Sequence, residues 1–152
     1  MAEAKQYCTF HVDKYLFGVV VLDVQEVLKY QELTQVPLSP VEIHGLINLR
    51  GQIISAIDLR SRMNHPPRPE GQKPMNVVIR TNNEVISFLV DSIGDVLDVD
   101  ESAFEEAPDT VDAETRELVT GVYKLEGRLL LVLDAAKAAI LSNSTEGQLA
   151  SS

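Results

Sequence analysis

The sequence predicts a mainly β protein: two small barrels packed together and related by internal duplication. Three observations carry this. The stretch GLINLRGQIISAIDLR, from Gly45 to Arg60, recurs 76 positions later as GVYKLEGRLLLVLDAA, pairing Gly45 with Gly121, Leu49 with Leu125, Gly51 with Gly127 and Asp58 with Asp134. A second stretch, VVVLDVQEVL at 19–28, matches FLVDSIGDVL at 88–97 with an offset of 69, pairing Val24 with Ile93, Glu26 with Asp95 and Val27 with Val96. Short apolar runs are also punctuated by turn residues at roughly eight- to twelve-residue spacing, as in sandwiches and barrels. Each half is marginal in size alone, so the halves are expected to share a core. Whether strands are exchanged between them stays open.

Taken in order, residues 7–12 alternate, with Cys8, Phe10 and Val12 on one side and Tyr7, Thr9 and His11 on the other, as in a half-buried strand. Asp13-Lys14 makes the turn. Tyr15 to Val21 is apolar on both faces, which suits a strand in a barrel wall, and Gly18 within it marks a bend or bulge. Asp23 to Tyr30 reads either as a short helix or as an extended segment. The connection 31–42, with Pro37 and Pro40, is expected to be irregular.

Leu46–Leu49 and Ile53–Ile57 then form a hairpin over Arg50-Gly51, where Gly51 supplies a positive φ. Asp58 is placed to cap a short helix, LRSRM. NHPPRPEGQKP, at 64–74, reads as the linker between the copies. Met75–Arg80 and Val85–Val90 pair across Thr81-Asn82-Asn83. Leu118–Leu125 and Arg128–Leu133 form the last hairpin over Glu126-Gly127, and Asp134 caps the helix that follows. The expected division is a folded region at 7–141, with a first subdomain at roughly 15–63 and a second at roughly 75–141. The small, polar stretch 142–152 is expected to be a disordered tail.

Composition narrows the function classes. A net charge of −10 argues against nucleic acid, whose phosphates reward clustered Lys and Arg. Asp91 to Glu117 holds 11 acidic residues against Arg116 alone, a run expected to be a solvated loop and helix face. No apolar run approaches the roughly 20 residues of a membrane span. The opening MAEAKQYC lacks the blocks of a signal peptide, which points to the cytoplasm.

A catalytic centre is hard to assemble from these residues. His11, His44 and His65 are scattered and Cys8 is the single cysteine, so no metal-ligand spacing exists and no cofactor is implied. Asp58 and Asp134 are the candidates for a paired-carboxylate acid/base site, with Glu26 as a further carboxylate, yet both aspartates begin helical segments and read as caps. No glycine-rich phosphate loop is present. The expectation is a non-enzyme. Arg50 stands apart, because the matched turn carries Glu126, so the turn itself does not require arginine. Around it Leu46, Ile47, Leu49 and Ile53 offer an apolar surround for a contact site.

At these residues the chain resembles the CheW-like coupling proteins of bacterial chemotaxis. Gly45, Ile47, Asn48, Leu49, Arg50, Gly51, Ile53, Ile57, Asp58, Leu59 and Arg60 fall in register with the family's G-x-I-N-L-R-G-x-I-x-P-x-I-D-L-R pattern, and Ser55 replaces its proline. The likeness extends through Val24-Gln25-Glu26-Val27 and Val36-Pro37, from about Tyr7 to Leu141. It implies two five-stranded SH3-like barrels and a non-enzymatic adaptor. The implied partners are the cytoplasmic tip of a methyl-accepting chemoreceptor and the regulatory domain of a CheA-type histidine kinase. The implied place is the cytoplasm at receptor arrays, with membrane association only through the receptor. Residues implicated by the resemblance in receptor binding are Val24, Glu26, Arg50 and Val77, with Gly45, Leu49 and Gly51 shaping the hairpin. A CheW-like module of a gliding or pilus pathway is the alternative within the class, and an acid/base enzyme using Asp58 and Asp134 is the alternative outside it.

Overall fold

Ten strands appear among the residues described by the computed structural model, 4–35, 42–81 and 84–140. In chain order they are β1 (Ala4–Val12), β2 (Tyr15–Val20), β3 (Val24–Leu28), β4 (Ile43–Leu49), β5 (Gln52–Asp58), β6 (Met75–Arg80), β7 (Val85–Val90), β8 (Ser92–Asp100), β9 (Val119–Leu125) and β10 (Arg128–Leu133). Single-turn helices follow as α1 (Leu59–Arg62), α2 (Ala113–Arg116) and α3 (Ala135–Ala138). Pro37, Pro40, the Asn82-Asn83 turn and the tail 142–152 lie outside the described residues. The segment left open between helix and strand is mostly extended: a 3-10 turn at Val21–Asp23 leads straight into β3.

Two five-stranded sheets result, with orders β8-β1-β2-β10-β9 and β3-β6-β7-β5-β4. The duplication maps β1–β5 onto β6–β10, and under that mapping the two orders are identical. Each sheet nevertheless takes the first two strands of one copy and the last three of the other. The joins are the parallel pairings of β10 with β2, Leu131 opposite Phe17, and of β5 with β7, Ile57 opposite Phe88. A division into 15–63 and 75–141 therefore does not follow sheet membership. The physical reason is connection length. Only Asp91 separates β7 from β8, fewer than the two residues a hairpin needs, so β8 must run on into the other sheet.

Strand alternation then builds three apolar clusters. Phe10, Phe17, Val19 and Leu131 from one sheet meet Ile57, Val77, Ile79 and Phe88 from the other in the largest cluster, which is shared between the sheets. The opposite faces fill the barrels: Tyr7, Leu16, Tyr123 and Leu130 in one, Ile47, Ile54 and Val78 in the other. Burial on both faces is why β2, β6, β7 and β10 read as continuous apolar runs. Gly18 makes no bulge, since Thr9 and Val132 pair with it in regular register. Its role is space, because a Cβ there would lie 2.9 Å from Leu130 Cδ1. With one core common to both sheets, urea unfolding is expected as a single transition seen alike by fluorescence and circular dichroism. Two separated transitions would contradict the shared core.

Gly45 and Gly121, the pair that revealed the repeat, close the barrels. The backbone crossing each is bridged at the next residue, Thr34 with Leu46 and Glu105 with Val122. A Cβ on Gly45 would lie 2.9 Å from Thr34 O, and one on Gly121 would lie 2.6 Å from Glu105 O. Because that obstacle is backbone, Gly121→Ala is expected to cost about 1–3 kcal/mol in chemical denaturation. A change below about 0.5 kcal/mol would mean that this closure is soft.

Candidate functional site

The hairpin of the repeat is constrained by its own local geometry. Arg50 has φ 54° and Gly51 φ 88°, the doubly left-handed pair of a type I′ turn, and Asn48 Oδ1 accepts the Gly51 N–H at 2.9 Å. Sequence reasoning assigned the positive φ to Gly51 alone. In the second hairpin only Gly127 is left-handed, at φ 78°, so Glu126 and Arg50 sit in different turns.

Arg50 forks onto Glu26. Its Nη2 donates to Oε1 at 2.7 Å and its Nη1 to Oε2, while the Arg50 side chain stays 71% exposed and that of Glu26 is 19% exposed. The hydrogen bonds from Arg50, reinforced by its charge, hold the Glu26 carboxyl below the usual glutamate range, and Glu26 in turn raises the guanidinium. β3 and β4 are the two ends of their sheet's strand order, so this pair joins the edges where the sheet curls into a barrel. Beneath it lies the interior cluster of Ile47, Ile54 and Val78, with Leu28 and Leu49 packed against it. The duplicate positions carry Asp95 and Glu126, two carboxylates, which cannot form this pair.

Two of the four residues implicated for a partner are thus brought together, and a third, the half-buried Val24, lies on the same strand as Glu26. Val77 is a correction. It is 1% exposed in the shared core, because its side chain alternates inward from β6, and it has no surface to offer a partner. Sequence reasoning did not name the residues that line the groove beside β3. A cavity of about 650 Å3 opens where the chain crosses between the sheets, with Leu22 and Asp23 at one rim, Arg80 beside them, and Tyr7, Phe104 and Tyr123 opposite. Leu22 is 91% exposed there. Its signal was in the sequence as a leucine ending an apolar strand at a sheet crossing, where period-two alternation gives it no core to enter.

The aspartate of the hairpin motif does different work. Asp58 caps α1, Oδ1 accepting the Arg60 N–H at 2.9 Å, and also receives a fork from Arg68, whose Nη1 lies 2.9 Å and Nη2 3.1 Å away. Arg68 Nε reaches Asp91 Oδ1 at 2.7 Å, and Arg60 Nη2 reaches Asp91 Oδ2 at 2.6 Å. All four side chains are 10% exposed or less. Burial pushes the Asp91 carboxyl up, but the Arg60 guanidinium, the Asp13 N–H and Arg68 outweigh it and hold it below its ordinary value. Arg68 belongs to the proline-rich linker, which this ring ties down.

His44 lies 3.3 Å from Asp58 and 3.2 Å from Ser61 Oγ, a line that resembles a nucleophile, base and orienting carboxylate. That carboxylate is engaged elsewhere: Asp58 accepts the fork from Arg68 and the Arg60 N–H. Asp134, the other acid/base candidate, accepts the Lys137 N–H at 3.1 Å as a helix cap. Among the described residues no group of three His, Cys, Asp or Glu is arranged to hold a metal, and no helix is long and apolar enough to cross a membrane.

The acidic run is not uniformly solvated. Asp91 is buried in the ring above, and Asp112 accepts hydrogen bonds from Tyr15 Oη at 2.8 Å and from the Thr115 N–H at 3.1 Å. Although burial raises it, Tyr15, Thr115 and the nearby His65 bring the Asp112 carboxyl to about 2. Glu101, Glu105 and Asp109 between them are exposed as expected.

Comparison with known proteins places this geometry. The profile of the CheW-like domain matches residues 6–141. A chemotaxis protein CheW of Bacillus subtilis is 34% identical over 126 residues, covering 83% of this chain and 81% of its own length. One of Klebsiella aerogenes is 28% identical, covering 88% and 80%. Among solved structures, the scaffolding protein TtCheW from Thermoanaerobacter tengcongensis superposes with a TM-score of 0.76 at 28% identity, covering 86% of this chain and 89% of that one.

Proposed function

Because the chain belongs to the CheW-like domain family, we propose that it is a chemotaxis scaffold that couples receptors to a CheA-type kinase, and that β3 with the Arg50 hairpin forms its receptor-facing surface. The observation that supports this placement is the Arg50–Glu26 fork. It is a charged pair largely open to solvent on its arginine side, built over an apolar barrel interior, and denied to the second copy by Asp95 and Glu126. A pair of this kind is screened by solvent and adds little to stability, so the fold does not need it. A fixed guanidinium with Nε–H and outer hydrogens still free is, by contrast, a specific selector for carboxylates and carbonyls on a partner.

The partner of this surface is the cytoplasmic tip of a receptor, a helical hairpin, laid along β3 and the adjoining groove. Val24 and the exposed Leu22 supply apolar contact, and Glu26 and Arg50 select charge. Kinase binding uses barrel ends away from this surface. The site of action is the cytoplasmic side of the membrane, reached through the receptor. Titrating labelled protein separately against a receptor-tip fragment and a kinase regulatory domain tests the reading, alongside a pulldown from native cytoplasm with both partners identified. Saturable binding to each is expected. Failure to bind any receptor fragment while binding kinase would refute the assignment of this surface.

A further inference from the structure

The register of β3 holds a one-residue slip. Val24 lies opposite Ile79 and Glu26 opposite Val78, so Gln25 is an extra residue against β6. On an unbroken strand, residues two and four apart share a face. Yet Val24 packs on the core between the sheets, whereas Leu28 packs in the barrel interior. The bulge at Gln25 has reversed the phase, as bulges do when they re-aim a side chain. It is what puts Glu26 on the face of Leu28, where Arg50 reaches it. On a regular strand of the same sequence, with no bulge, Glu26 would share the inter-sheet face of Val24.

The duplicate strand has the same slip, held differently. Ile93 lies opposite Phe10 and Val96 opposite Cys8, leaving Gly94 and Asp95 to share Thr9. Thr9 Oγ1 donates to Asp95 O at 2.5 Å, and a Cβ on Gly94 would fall 2.5 Å from that hydroxyl. Opposite β3, Val78 of β6 stands at the position of Thr9, with no hydroxyl, and Gln25 stands at that of Gly94. What secures this bulge is lateral: Arg80 Nη2 donates to Gln25 Oε1 at 2.9 Å.

We propose that Arg80 and Gln25 form a clasp that fixes the β3 bulge, and that they are positioning residues of the partner site, setting Glu26 against Arg50. The proposal rests on the receptor-surface reading for its use, but the clasp can be tested with no partner present. The readout is the titration of the Glu26 side-chain carboxyl by carbon NMR in the full chain. Arg50→Ala calibrates it, raising the midpoint from its depressed value. Gln25→Ala changes no charge and is expected to produce at least half of that rise. Arg80→Lys, which keeps charge and donor, is expected to stay near the parent. An unchanged Glu26 midpoint in Gln25→Ala overturns the clasp. Receptor-fragment affinity is then measured on the same variants, with about a fivefold loss expected for Gln25→Ala and recovery in Arg80→Lys. If the midpoint moves while affinity does not, the clasp stands and the receptor reading of the fork falls. Lost affinity with an unmoved midpoint means direct contact by these side chains and overturns the positioning role.

Discussion

Asp91→Ala is expected to destabilise the protein by about 3–5 kcal/mol, because it leaves the guanidiniums of Arg60 and Arg68 buried without their shared carboxylate. In a chain of this size that corresponds to a fall in Tm of about 10–15 °C. The matched control is Asp134→Ala. Asp134 occupies the repeat position of Asp58 yet serves only as a helix cap, and its loss should cost about 0.5–2 kcal/mol. Thermal and urea denaturation of both variants decide the matter, and an Asp91→Ala cost below about 1 kcal/mol would show that the ring is not a structural element. The pH dependence follows the same logic. Asp91 and Asp112 have folded values below the ordinary aspartate value of about 3.9, so their contributions are present above that pH and are lost as pH falls through the folded values. Stability should decline below about pH 4, with the Asp112 part lost near 2, and Asp91→Asn should remove the share of that decline that Asp91 carries.

Arg50→Glu is expected to weaken receptor binding by about 2–4 kcal/mol, on the order of 30- to 1,000-fold, while kinase binding changes little. The fold should tolerate it. Arginine and glutamate are both unbranched at Cβ and bear the same left-handed penalty at this position, and the new repulsion with Glu26 is largely exposed. Glu126→Arg, at the tip of the other hairpin, should leave receptor binding largely intact. The double exchange Glu26→Arg with Arg50→Glu restores an internal pair with its polarity reversed. It should recover stability but not affinity, which separates a partner contact from a merely structural bridge. Equal damage from Glu126→Arg, or normal binding by Arg50→Glu, would remove the receptor surface from the first hairpin.

Much of this architecture was legible because its signals are local. Gly45 and Gly121 stand out in the repeat because a backbone passes where their Cβ would be. Asp58 and Asp134 were readable as caps because a cap needs only the next turn of chain. Arg50 was readable as a candidate site residue from a hairpin position where the two copies carry opposite charges. The pairing of Arg50 with Glu26 was not, since it joins residues 24 positions apart across a barrel seam. Val77 shows the same limit in reverse, for its side of β6 is fixed by packing and not by its neighbours in sequence.

The sequence by itself determined the duplication, the strand-rich composition, the hairpin, the helix caps and the family resemblance, all of which depend on residue type and short spacing. Only the tertiary structure decided how the hairpins and the remaining strands join into two sheets. The single residue between β7 and β8 commits the chain to cross, and a crossing in each copy exchanges strands between the sheets. It alone brought Arg68 of the linker to Asp58 and Asp91, so that charges which look solvated along the chain become a buried ring. And it alone placed the bulge at Gln25, because strand phase is set by the partner strand's register, a property no single strand contains.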